Sequence, residues 1–397
     1  MGRALAFDAS VRQMPTRPTE AVVDLSAIAA NYRWLREVAD RPVIAVVKAN
    51  AYGHGAVPVA RALVREGVAM LAVALVEEGI ELREAGVGAP ILVLGGAYGG
   101  RYDLLVTHRL VPGITGVAHL RGLAEAARAA GVRAVAHLKL DTGMGRLGLR
   151  LADLPDFAAA ANRTPEVAVE GIYTHLANAD DLGERATTER QVALFDEAAE
   201  RLARAGLPLR YRHLANSAGT VEYPQARQDL VRPGIMLYGY VPFHSKGARP
   251  VLARTLDRLR PALTLRTEVV ELREVPEGAP ISYGGKWTAR RTSRIATLPV
   301  GYADGYRRQL SGRPGFGSAE VLVRGRRAPV AGTVCMDMTM VDVTDVPAVA
   351  VGDEVVLIGT QGGETVDAAE LAERCGTISY EILCGIGARV PRRHVEG

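Results

Sequence analysis

Lysine is almost missing from this chain. Of its 48 basic residues only Lys48, Lys139, Lys246 and Lys286 are lysines, so arginine is the default cation. Cysteine is scarce as well. Cys335, Cys375 and Cys384 are odd in number and lack CxxC spacing, which argues against a disulfide framework or a zinc site and suits a reducing, cytoplasmic setting. The eight histidines are dispersed with no HxH or HExxH pair, so no protein-built metal site is expected. No apolar run approaches the ~20 residues of a membrane span, so no membrane partner is expected. The opening residues lack the apolar core of a signal peptide, and residues 1–19 read as a flexible lead-in. There is no block of like charge. The net charge of +4 comes from scattered arginines, which gives little reason to expect a nucleic-acid partner.

What is present is the balance of a soluble globular protein, 48% hydrophobic and 23% charged over 397 residues, a length that favours two domains. From residue 20 strand and helix signals alternate. Apolar runs at Val43–Val47, Met70–Leu75, Pro90–Leu94, Leu110–Ile114, Ala134–Leu140, Val167–His175, Tyr211–Asn216 and Leu230–Tyr238 are separated by helical stretches such as Val117–Ala130 and Glu189–Ala205. Continuous rather than alternating hydrophobicity marks strands buried on both faces, as in parallel sheets. About eight such units fit a (β/α)8 TIM-like barrel better than an open sheet. No GxGxxG follows the first strand, which weakens a dinucleotide-binding reading. Near Pro261 the pattern changes to shorter, alternating strands divided by turns. The expected architecture is a barrel over 20–257, including a short strand at Glu20–Asp24, joined through Arg249–Arg260 to a mostly antiparallel β domain over 258–397.

The run Val43–Val47 ends in Lys48. An ammonium closing a buried strand is costly. Two readings stand open: a snorkelling lysine with a wet head, or an amine kept for base or Schiff-base chemistry that arginine cannot perform. Other strand ends carry polar groups too. The fifth ends in Lys139 and Asp141–Arg146, the sixth in Thr174-His175, the seventh in Asn216-Ser217, and the eighth carries Arg232, Gly234 and Tyr238. Each alone suits a satisfied structural group. Together, at the carboxyl ends of barrel strands, they make a site. Ser217, Gly219 and Gly234 suit a phosphate, and a reactive lysine opposite a phosphate cradle points to pyridoxal 5′-phosphate.

At these residues the chain resembles the alanine racemases, pyridoxal-phosphate enzymes of fold type III. The matching pieces are Val46–Gly55 (VVKANAYGHG), His137–Gly148 (HLKLDTGMGRLG), Thr174–Ala177, His213–Ser217, Val231–Ile235, Ser282–Gly284, Val300–Gly305, Cys335–Asp337 and Ile378–Glu381. They run in family order from about residue 20 to the end of the chain.

The resemblance implies racemisation of alanine by two bases. Lys48 would hold the cofactor and serve one face. Tyr283, supplied by the second subunit of a homodimer with shared sites, would serve the other. A phenol needs help to act as a base near neutral pH, and the resemblance gives His175 as its partner. Arg232 would face the pyridine nitrogen. Tyr52, Asn216, Ser217, Gly234, Ile235 and Tyr380 would bind the cofactor, and Arg146 its phenolic oxygen. Lys139 is implied as a carbamylated lysine. Met336 would join Arg146 and Tyr283 around the substrate, with Tyr302, Arg308 and Asp180 at the entrance. Two positions depart from the family pattern: Thr333, often arginine, and Glu77, where the family has a shorter acid. Both put entrance electrostatics and substrate breadth in question. The competing readings are a broader racemase acting on serine, a decarboxylase of the same two-domain type with Cys335 as its cysteine, and a non-catalytic pyridoxal-phosphate carrier.

Overall fold

A computed structural model describes residues 17–207, 209–243, 255–312 and 318–396. The chain divides into two compact units, one built on Leu25–Ala262 and the other on the chain up to Asp24 together with Leu263–Val395.

The first unit is a parallel barrel. Its strands are β2 (Ile44–Val46), β3 (Met70–Val73), β4 (Ile91–Val93), β5 (Val111–Ile114), β6 (Ala134–Lys139), β7 (Val167–Tyr173) and β8 (Tyr211–His213), hydrogen-bonded in that order. β2, β3 and β4 are buried at every residue, which explains their unbroken apolar sequence. The run Leu230–Tyr238, expected as an eighth barrel strand, is reduced to a single bridge at Val231. Arg232 N–H donates to Ala215 O (2.7 Å) on one side, and Ile44 N–H donates to Val231 O (2.8 Å) on the other. These bonds close the ring where Val231 bridges Val43. Gly234 then leaves extended geometry, and Ile235–Tyr238 is a 3₁₀ turn.

The second unit is mostly antiparallel. One sheet contains β9 (Leu263–Glu268), β14 (Glu320–Val323), β15 (Arg326–Pro329), β17 (Glu354–Gln361), β18 (Glu364–Val366) and β19 (Arg392–Val395). A second joins β10 (Glu271–Val275), β13 (Ser293–Leu298) and β16 (Thr339–Asp342), and β11 (Pro280–Ile281) pairs with β12 (Trp287–Thr288).

The strand expected at Glu20–Asp24, here β1, belongs to this unit and not to the barrel. It lies antiparallel to β9 and parallel to β19. Only Ala21 and Val23 are buried, the half-buried alternation of a sheet with one face on its core. The lead-in is also partly fixed. The Arg17 guanidinium pairs with buried Asp304, and the Thr19 hydroxyl donates to Pro299 O (2.8 Å). Residues 1–16 of the lead-in and 249–254 of the expected joint lie outside the described residues. Among the described residues no helix is long and apolar enough to cross a membrane.

Candidate active site

Lys48 lies two residues beyond the end of β2, and the backbone then does something uncommon. Ala49, Asn50, Ala51 and Tyr52 all have φ near +52°, making a left-handed turn without a glycine until Gly53. Such a conformation costs about 1–2 kcal/mol per residue through Cβ crowding, so the surroundings must enforce it. The Asn50 side-chain oxygen accepts from Ala56 N–H (2.8 Å), and the Glu78 carboxylate accepts from Ala49 N–H (2.6 Å). The buried His54 ring holds the turn's inner side, with Nδ1 3.0 Å from Tyr52 O and 3.1 Å from Ala51 O. Its ring packs on Tyr238, whose hydroxyl donates to Val46 O (2.9 Å).

Across the barrel mouth Arg232 is buried, and among the described residues no carboxylate pairs with it. Its guanidinium donates instead to the carbonyls of His213 (2.6 Å) and Thr174 (2.6 Å) and to His213 Nδ1 (2.9 Å). Burial pulls its pKa down to about 10, so it stays charged at neutral pH. Because His213 accepts at Nδ1, its proton sits on Nε2, which donates to His137 Nδ1 (2.8 Å). Burial, then the Arg232 charge, holds His213 well below the usual histidine range and His137 at about 4. Both rings are therefore neutral, and together they orient a fixed cation.

Lys139 is buried with Nζ 5.0 Å from the centre of the Tyr173 ring, and the Arg232 guanidinium lies 5.4 Å from the same ring. Burial, then repulsion from Arg232 and Arg146, pushes the Lys139 ammonium down to about 7. Tyr173 is fixed by donating to Leu94 O (3.0 Å), and its hydroxyl fits only because residue 113 is glycine; a Cβ there would overlap it. The following loop is shaped by Asp141, which accepts from Gly143 and Gly145 N–H and leaves Arg146 exposed. His175 is half-buried, and Gln191 fixes its backbone by donating to His175 O (3.1 Å) and accepting from Ala177 N–H (2.8 Å). Burial, followed by Arg232, Arg146, Lys139 and Lys48, keeps His175 well below the usual histidine range.

The seventh and eighth strand ends form a small polar cradle. Ser217 Oγ accepts from Gly234 N–H (2.9 Å), and a Cβ on Gly234 would overlap the Tyr52 hydroxyl. Asn216 caps the short helix Ser217–Glu222 by accepting from Gly219 N–H (2.9 Å). The mouth thus collects cations and neutral imidazoles around small hydroxyl and backbone donors, an environment for an anionic, phosphate-bearing molecule with a lysine amine beside it.

Residues 23–242 match the model of the alanine racemase N-terminal domain, and 262–394 that of the C-terminal domain. The chain belongs to the alanine racemase family. It is 48% identical over 377 residues to the alanine racemase of Symbiobacterium thermophilum, covering 95% of this chain and 97% of the relative. Identity to that of Halothermothrix orenii is 44% over 381 residues, covering 96% and 97%. Among solved structures, alanine racemase from D-cycloserine-producing Streptomyces lavendulae superposes with a TM-score of 0.89 at 38% identity, covering 97% of this chain and 98% of that one. The biosynthetic alanine racemase of Pseudomonas aeruginosa gives 0.82 at 40%, covering 96% and 100%. The chain is accordingly an isomerase, of a family that works with pyridoxal phosphate.

The barrel brings Lys48, Tyr52, Lys139, Arg146, His175, Asn216, Ser217, Arg232, Gly234 and Ile235 to its strand ends, with Asp180 half-buried in the loop after β7. Tyr283, Tyr302, Arg308, Met336 and Tyr380 belong to the other unit. There Tyr283 is 70% exposed, and Tyr302 (41%) and Met336 (52%) are exposed as well. Arg308 starts a 3₁₀ turn, and Tyr380 lies half-buried in the helix Ser379–Cys384. Thr333, one departure from the family pattern, is buried and donates to Tyr283 O (3.2 Å). Glu77, the other, is exposed on the first turn of the helix Val76–Glu84. Sequence reasoning assigned no role to Tyr173, His137, His213 or Glu78 in this racemase. The available signal was a polar group inside a doubly buried strand, and it marked the first three.

Proposed function

We propose that this chain interconverts L- and D-alanine on pyridoxal 5′-phosphate, with Lys48 and Tyr283 as bases on opposite faces of the α-carbon and with Tyr283 reaching the site from a second copy of the chain. The observation that carries this reading is Arg232, a buried cation that faces neutral imidazole and carbonyl groups and has no carboxylate partner among the described residues.

The residues present fit the cofactor. The Tyr52 and Ser217 hydroxyls and the backbone at Gly234 and Ile235 would hold the phosphate, and the missing Cβ at Gly234 lets the Tyr52 hydroxyl approach that backbone. Lys48 would hold the aldehyde carbon covalently. Arg232 would donate to the pyridine nitrogen and keep it unprotonated, because guanidinium does not give up its proton. When bound, pyridoxal phosphate supplies the electron-withdrawing ring that acidifies the substrate's α-carbon.

The remaining work falls to side chains. With the substrate's amine taking its place at the aldehyde carbon, the Lys48 amine would be free to take or return the α-proton on one face, and the Tyr283 phenolic oxygen would do so on the other; the direction of racemisation decides which gives and which takes. His175, kept neutral first by burial and then by the nearby Arg232 and Arg146 charges, accepts a hydrogen bond from the phenol and orients it. Arg146 and Met336 sit by the substrate carboxylate. Lys139, with its ammonium pushed to about 7, offers a neutral amine that adds CO₂, losing one proton to become a carbamate whose negative charge pairs with Arg146.

A mixing experiment tests the assignment. Lys48→Ala and Tyr283→Phe proteins, each inactive, are combined, dissociated and reassociated, and alanine racemisation is followed by a chiral assay. Hybrid dimers hold one intact site, so about a quarter of the wild-type activity should return, the statistical share for a two-fold assembly with shared sites. No recovery would exclude the shared site. A serine arm of the same assay measures substrate breadth.

A further inference from the structure

Glu78 is the third residue of the helix Val76–Glu84. A glutamate there ordinarily reaches back to the amides that start its own helix. Here one carboxylate oxygen, Oε2, does that job alone, accepting from Ala74 N–H (2.7 Å) and Leu75 N–H (3.0 Å). Oε1 is therefore free for another partner, and it accepts from Ala49 N–H at 2.6 Å, twenty-nine residues earlier. Ala49 follows Lys48 directly and opens the strained left-handed turn. One carboxylate thus joins the start of that turn to the exit of the neighbouring strand β3.

We propose that Glu78 is a positioning residue for Lys48. By clasping the left-handed turn to the end of β3, it fixes the direction in which the Lys48 side chain leaves its strand. Two features strengthen the inference. The hydrogen bonds from Asn50 and His54 described above act within residues 50–56, whereas the Glu78 carboxylate ties the turn to the exit of a different barrel strand. The contact is also a charge-assisted hydrogen bond, stronger than the neutral pairs around it. The role in catalysis rests on the reading of Lys48 given above; the clasp itself does not.

The test uses the cofactor-loaded Glu78→Gln protein, which keeps side-chain length but places an amide NH₂ where one of the N–H donors must be met. Glu78→Asp, which keeps the charge but is one methylene too short to span both elements, is the second variant. Amide hydrogen exchange should accelerate about tenfold at Ala51 and Gly53, whose bonds lie within the turn, while β6 and β7 stay unchanged. With alanine, kcat should fall about ten- to a hundredfold with KM nearly constant, the pattern of a misplaced reacting group. Unchanged exchange in the turn would overturn the proposal. So would faster exchange with unaltered kcat, or a uniform acceleration through all barrel strands, which would make Glu78 a general structural residue. Lys48→Ala separates the two readings. If that variant is inactive while Glu78→Gln behaves as wild type, only the clasp is wrong. If Lys48→Ala remains active, the reading of Lys48 itself fails.

Discussion

Lys48 and Tyr283 are held by opposite means, although a non-glycine residue with positive φ lies beside each. Lys48 precedes four left-handed residues, and Tyr283 follows Ser282, a non-glycine residue at φ +63°. In the barrel the turn is held from several sides: Glu78, Asn50 and His54 each bond it, and Ala51, Tyr52 and His54 are buried. In the β unit Ser282 is held by its hydroxyl donating to Thr333 O (2.6 Å), and Thr333 returns a bond to Tyr283 O. The phenol beyond them is 70% exposed. Strained backbone persists where its surroundings over-determine it. The barrel therefore builds its half of the site from within. The β unit fixes only the backbone of Tyr283, and on the reading proposed here a second copy completes the surroundings of its side chain.

Each half can be broken separately. The largest effect is expected in the barrel: Lys48→Ala should reduce alanine racemisation by about 10⁴-fold and abolish the visible absorbance of bound cofactor. Covalent cofactor retained in that variant would contradict the assignment. Tyr283→Phe should cost about 10²–10³-fold, and unequally. α-Proton exchange with solvent should slow far more from the L enantiomer than from the D; equal losses would contradict a one-face role.

The next test probes the buried imidazoles that orient Arg232. His137 and His213 have folded pKa values below the ordinary histidine value, so the unfolded chain binds protons that the native barrel refuses. For His137 the contribution to stability is complete above about pH 6.5 and is lost as pH falls towards about 4, worth roughly 3 kcal/mol, and His213 acts in the same direction. Urea denaturation across that window should show the decline, and a flat profile would show that the rings are not buried and neutral. Smallest is Gly113→Ala. It should destabilise the barrel by about 1–3 kcal/mol through overlap with the Tyr173 hydroxyl, read as a lower urea midpoint.

The barrel was legible in sequence because strands buried on both faces leave unbroken apolar runs, and Lys48 stood out by interrupting one. β1 was misplaced in the barrel because five residues, two of them acidic, carry too little pattern to separate a half-buried edge from a buried strand. The Arg232–His213–His137 chain needs the register of β6, β7 and β8, which spacing along the chain does not encode. Glu77 and Glu78 show the finest limit. Adjacent helical residues point about 100° apart, so only the helix's placement beside β3 decides which one meets the lysine turn. Ser282 carried no signal, since serine is not a residue that announces a positive φ.

The pairing of β1 with β19 sets an order of assembly. Every barrel strand lies on one uninterrupted stretch of chain, so that body can close while synthesis is still under way. β1 emerges before any of it, finds β9 only after the barrel is complete, and gains its parallel neighbour from Arg392–Val395 at the very end. Until then one of its edges is open to any other strand. A ribosome that stalls a few codons early would therefore release a finished barrel with an adhesive edge beside it.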